Sequence, residues 1–142
     1  MNIMFSEYPY MKFSLSAIAL TLILFSSCTK SVKPEQLYGE WKYVKVENLH
    51  QNPAYIMPDE ELKAENPSIQ FSNANDLVIM WGGKRLSYGK FRMEDNMIRY
   101  KENLSGGITR EFPFLIKEIS SEKLVFETME QDATRITAVR SK

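Results

Sequence analysis

Ser68-Ile69-Gln70-Phe71-Ser72 and Asp76-Leu77-Val78-Ile79-Met80-Trp81, divided by Asn73-Ala74-Asn75, set the pattern that the rest of the chain repeats. Both runs are rich in β-branched and aromatic residues and both stop at turn formers, which is how short strands read. The pattern returns at 86–93 (LSYGKFRM), 97–102 (MIRYKE), 108–119 (ITREFPFLIKEI), 123–129 (KLVFETM) and 133–140 (ATRITAVR). Glu94-Asp95-Asn96, Ser105-Gly106-Gly107, Ser120-Ser121 and Gln131-Asp132 separate them. Links this short predict antiparallel pairing between neighbours in sequence. Pro113 falls inside one run and has no N–H for a ladder, so a bulge or a gap in pairing is expected there.

Upstream, 37–46 (LYGEWKYVKV) reads as one more strand. Alternation puts Trp41, Tyr43 and Lys45 on one face and Val44 and Val46 on the other. The long link 47–67 follows, with Pro58-Asp59-Glu60-Glu61-Leu62-Lys63 predicting a short helix capped by Asp59. That link is long enough to lie over one end of the domain. Eight strands with one apolar face bury that face best by closing on themselves, which also removes exposed edges. The expected fold is therefore all-β, an eight-stranded antiparallel up-and-down β-barrel with one short helix, over residues 37–142. Its interior would be just wide enough to be filled by side chains or to hold one small ligand. Tyr43, Phe71, Ile79, Phe91, Tyr100, Phe114 and Phe126 are the candidates to face it. Trp81, beside Gly82-Gly83, would line a mouth of the barrel or cap its core.

The amino-terminal residues give the protein an address. An apolar run of about thirteen residues (13–25) follows Met11-Lys12 and closes on Ser26-Ser27-Cys28, as a secretory signal does. It is well short of the roughly twenty residues that cross a bilayer as a helix. Residues 1–10 carry no Lys or Arg, so Met11 is the expected start. Cys28 is the chain's one cysteine and stands immediately after the small pair. The stretch resembles the lipobox of bacterial lipoproteins, with Phe25 where that family more often has Leu. The resemblance implies cleavage between Ser27 and Cys28, acylation of Cys28, and attachment to a membrane through it. Two or more acyl chains hold a protein stably where one does not. Residues 1–27 are then leader and signal peptide, and 28–36 (CTKSVKPEQ) a tether. Thr29-Lys30 offers neither an acidic surface-export run nor a retention aspartate, so resemblance points to an outer-membrane anchor facing the periplasm.

A second resemblance covers 37–140. Gly39-Glu40-Trp41 at the head of the first strand looks like the G-x-W signature of the lipocalins and their calycin relatives. Arg140 stands where that family's arginine packs across the tryptophan and closes the barrel base. Tyr88-Gly89-Lys90-Phe91 and the run 118–126 resemble small lipocalin-like domains of Bacteroidota-type lipoproteins. The likeness implies a carrier that takes a small hydrophobic ligand into its barrel. The bottom-up reading of Gly39, Trp41 and Arg140 is as fold determinants, joined by a cation–π contact worth about 0.5–2 kcal/mol.

Composition narrows the rest. Lys and Arg number 18 against 18 Asp and Glu, and no basic stripe reads from the sequence, so nucleic acid is not expected as a partner. His50 is the single histidine and sits in a loop. No G-x-S-x-G elbow is present, and Gly82-Gly83-Lys84 lacks the remainder of a phosphate loop. Asn73, Asn75 and Asp76 suit a turn better than a metal site. Neither an enzyme, a metal nor a cofactor is expected. Two functions stay open: a carrier of a small apolar molecule, and an envelope interaction module whose barrel is solid.

Overall fold

The computed structural model describes residues 31–129 and 133–142. Ser27, Cys28 and the signal segment, and the turn at Gln131-Asp132, lie outside the described residues. Nine strands and one helix are described: β1 (Gly39–Asn48), β2 (Tyr55–Ile56), α1 (Asp59–Glu65), β3 (Ser68–Phe71), β4 (Asp76–Trp81), β5 (Lys84–Glu94), β6 (Met97–Asn103), β7 (Thr109–Ile119), β8 (Lys123–Thr128) and β9 (Thr134–Arg140). From β3 to β9 every strand pairs antiparallel with its successor, and β1 pairs with both β3 and β9. Those eight strands form a closed antiparallel barrel. The added strand, β2, pairs only with Glu47 and Asn48 at the end of β1.

Turn chemistry holds the register. Gly82 and Gly83 both take positive φ (58° and 73°) between Trp81 and Lys84, the backbone a two-residue hairpin needs to match strand twist. Asp95 does the same at φ 56° between β5 and β6. Before β4, the Ser72 hydroxyl accepts from the N–H of Ala74 and of Asp76, while Asn75 turns left-handed.

Three local details differ from the simple alternation. Val44 is a bulge: Tyr43 faces Ala138 and Lys45 faces Thr137, leaving Val44 without a counterpart. An extra residue shifts the phase by one. Val44 and Lys45 consequently both point outward, and Val46 turns in to pack on the core. Pro113 makes no bulge, since it sits in register opposite Arg99. Pairing between β7 and β8 begins only at Phe114, one residue later, and the shift in that ladder falls between Ile116 and Glu118. The cap of α1 is Pro58, with Asp59 as the first helical residue. Its three first-turn acids, Asp59, Glu60 and Glu61, suit the positive end of the helix.

The helix repairs a hole in the wall. β3 is four residues long and reaches only Gly39 to Lys42 of β1. Above that level α1 stands beside β1 and sends Leu62 into the core at 7 % exposure. The Glu65 carbonyl accepts from Gly82 N–H, which ties the helix to the β4–β5 turn. The folded region also starts earlier than 37. Val32 packs on the core and its N–H donates to the Asp95 carbonyl, Pro34–Gln36 makes a 3₁₀ turn, and Leu37 is fully buried.

At Gly89 the backbone of β6 leaves no room for a side chain on β5. A Cβ there would overlap the Lys101 carbonyl oxygen and lie 2.9 Å from Glu102 Cα. Backbone on a neighbouring strand cannot swing aside as a side chain can. Gly89→Ala should therefore destabilise the barrel by about 2–3 kcal/mol, as overpacking does, in a urea unfolding series; an unchanged midpoint would show that the two strands are further apart.

Candidate functional site

Two constellations occupy the two ends of the barrel. At the base, the Arg140 guanidinium lies 4.1 Å from the Trp41 ring centroid. Strand register brings them there, because Trp41 and Arg140 are opposed in the β1–β9 ladder. Arg140 also donates to three backbone carbonyls, those of Gln36 (2.9 Å), Tyr38 and Ser121 (2.7 Å). The Trp41 indole N–H donates to the Leu37 carbonyl at 2.7 Å. Gly39, at φ 117°, passes under the guanidinium so closely that a Cβ would meet Nη1 at 3.1 Å. All three signature residues thus meet in one seal, and every polar atom that holds it belongs to the protein's own backbone.

In the interior, the residues expected to face a ligand are in contact with one another. Tyr43 meets Phe126 at 6.2 Å between centroids, Phe126 meets Phe114 at 5.4 Å, and Phe114 meets Tyr100 at 5.8 Å. Phe71 and Phe91 form a separate edge-to-face pair at 5.1 Å. Phe112, which sequence reasoning left out, joins Tyr100 and Phe114 at 5.2 and 5.4 Å. Ile79 and Trp81 are part-buried and pack against this core. Clefts do exist, of about 560 Å³ beside Ser121, Glu122 and Arg140, about 380 Å³ between α1 and β1, lined in part by Tyr43 and Leu62, and about 260 Å³ beside Glu40, Gln70 and Phe71. None of these three is lined by Ile79, Trp81, Phe91, Tyr100, Phe114 or Phe126.

Toward the other end sits a polar network that sequence reasoning missed. The Glu102 carboxylate, buried on the inner face of β6, accepts from Ser87 Oγ and from Arg110 Nε at 2.5 Å each. Ser87 Oγ also shares a hydrogen bond with the Tyr100 hydroxyl at 2.6 Å. The signal was present in the sequence, since Ile98, Tyr100 and Glu102 alternate in phase and Glu102 had to point inward. Burial pushes the Tyr100 phenol up to about 12; the Ser87 bond opposes this, and the Glu102 charge adds to it. Burial also raises Tyr43, reinforced by Tyr100. Among the described residues no group of three or more His, Cys, Asp or Glu could hold a metal ion, and no helix is long and apolar enough to cross a membrane.

No protein-family model, curated protein or solved structure matches this chain.

Two outcomes test the constellations. Arg140→Lys keeps the charge but cannot reach three carbonyls and cover the indole, so it should cost about 1–3 kcal/mol in chemical unfolding; retained stability would mean the seal does not hold the base. Tyr100 stays neutral in the fold beyond the pH where an unfolded tyrosine ionises. Its contribution is intact below about pH 10 and declines as pH rises toward 12. Tyr100→Phe should flatten that alkaline loss in a stability–pH profile, and an unaltered profile would contradict the assignment.

Proposed function

We propose that this protein is an envelope lipoprotein of the lipocalin-like kind, reduced to a solid barrel that works through its outer surface. The observation that carries the reading is the chain of ring contacts from Tyr43 through Phe126 and Phe114 to Tyr100, in the space where a carrier would keep its ligand. Close-packed interiors hold few voids larger than water. Opening one here would separate aromatic pairs that are each worth about 0.5–1.5 kcal/mol beyond their buried area. The seal of Gly39, Trp41 and Arg140 supports the kinship with lipocalins, and serves to shut the base. Acylation of Cys28 would moor the domain to a membrane, and the outer-membrane leaflet facing the periplasm fits its export signal. No catalytic group is required by this reading.

The surface supports the same view. Nine large hydrophobic residues stand exposed among the described residues. Tyr55, Ile56, Leu86, Leu104, Ile108 and Met129 lie at strand ends and links opposite the base, while Val139 stands at the base beside Ser121 and Arg140. Apolar side chains gathered at one end mark a contact surface more often than chance exposure does. Native mass spectrometry of the domain purified from its own cells is the test. The proposal expects the bare polypeptide mass for the folded domain; a retained small molecule at stoichiometric occupancy would return the protein to the carrier class. Cys28→Ser should move the full chain from the membrane to the soluble fraction.

A further inference from the structure

We infer that the outer wall formed by β5 and β6 is a membrane-facing surface for an anionic lipid bilayer. The inference deepens the reading of an outer working surface by naming what that surface meets. Three observations converge on one wall. The first is where the described chain begins: the Val32 N–H donates to the Asp95 carbonyl at the β5–β6 turn, the lower end of this hairpin. Cys28 stands four positions before Val32, a leash of at most about 14 Å. An acylated Cys28 would hold that end of the wall against the bilayer.

The second is charge. Strand alternation turns Lys90, Arg92, Arg99 and Lys101 outward on this hairpin, with Lys84 and Arg85 exposed at its upper end. Asp76, Glu94 and Glu111 neutralise part of the set through bridges to Lys90, Arg92 and Arg99. Lys84, Arg85 and Lys101 make no ion pair among the described residues. These cations are spread over eighteen positions of sequence with polar and apolar residues between them, which is why no basic stripe reads before the strands are paired.

The third is the apolar tip at the end away from the leash. Leu86, a bulged residue between Arg85 and Ser87, is 64 % exposed, and Ile108 is 63 % exposed. Gly89 pairs with Glu102, so continuing that register sets Ser87 opposite Leu104, which is joined to Ile108 by a backbone bond across the Ser105–Gly107 turn. Leu86, Leu104 and Ile108 all lie toward the end of the barrel away from Asp95. Below them Tyr88 is exposed with the Arg85 guanidinium 4.0 Å over its ring. Exposed aliphatic residues near one end, a tyrosine one step back and cations around it match the order in which side chains enter a bilayer interface: apolar stems go in, and charged heads stay with the phosphates.

The fragment Ser31–Lys142 holds every strand and the whole described core, so it serves as the probe without its anchor. Its partitioning is measured by co-sedimentation with vesicles of 30 % phosphatidylglycerol in phosphatidylcholine and with pure phosphatidylcholine vesicles. The wall predicts preferential binding to the anionic vesicles that weakens with salt. The pair Lys84→Glu, Lys101→Glu should lower the partition constant about tenfold, and Leu86→Asp, Ile108→Asp should abolish binding. Lys63→Glu, on α1 at another face, should leave it unchanged. Equal binding to both vesicles, or a Lys63→Glu loss as large as that of the wall variants, would overturn the inference. So would self-association of the fragment that the Leu86 and Ile108 changes abolish, because a protein would then be the occupant. A full chain found unacylated at Cys28 would count against the mooring alone, and a retained small molecule against the solid barrel alone.

Discussion

Arg140 stacked over Trp41 is the contact on which the remaining architecture rests. A sheet of eight twisted strands ends in two raw edges unless its first and last strands meet, and exposed edges invite association with other chains. Here β1 and β9 meet along Trp41 to Asn48, and the guanidinium bolts that seam to the Gln36, Tyr38 and Ser121 carbonyls at the base. One planar group therefore fixes the amino-terminal approach, the β7–β8 side of the base and the final strand together. Lysine has the charge for this work without the fork.

Closure then decides what the inside can be. Eight strands leave a lumen about one layer of side chains wide, and here Tyr43, Phe126, Phe114 and Tyr100 meet ring to ring inside the barrel, edge-on or tilted. The helix α1 contributes Leu62 where β3 is too short to complete the wall, so the long link between β1 and β3 serves as masonry in the side of the barrel. A polar network, Glu102 with Ser87, Arg110 and Tyr100, lies toward the end opposite the seal and is satisfied within the protein. On the proposed solid-barrel reading, function falls to the surface, where six of the nine exposed large hydrophobic residues lie away from the base.

Much of this was legible in the residues. Alternation and turn chemistry located the strands closely, because period two and a Gly-Gly or Asp-Asn turn are local properties. Trp41 and Arg140 were legible as partners only through likeness to a family, since nothing local links positions 99 residues apart until the barrel closes. What stayed hidden depended on tertiary context. Val46 read as sharing the face of Val44, away from Trp41 and Tyr43, and only pairing with β9 exposes the bulge at Val44 that turns Val46 inward. Val32 and Leu37 sat in a polar stretch that read as a tether, yet the base needed both. Whether Phe114 and Phe126 line a cavity or fill it is a question of distance between rings, and composition is blind to that. The cations of β5 and β6 became a surface only once Lys84 and Lys101 stood on one wall.

The seam between the first and last strands is the most direct place to test the account. Native-state hydrogen exchange would follow the β1 and β9 amides from Trp41 to Val46 and from Ile136 to Val139 against those of β4 to β8. The account predicts that seam amides paired in the ladder exchange as slowly as those of the central strands, released only by global unfolding. Seam amides that exchange orders of magnitude faster, while β4 to β8 remain protected, would mean an open sheet in solution and would contradict it.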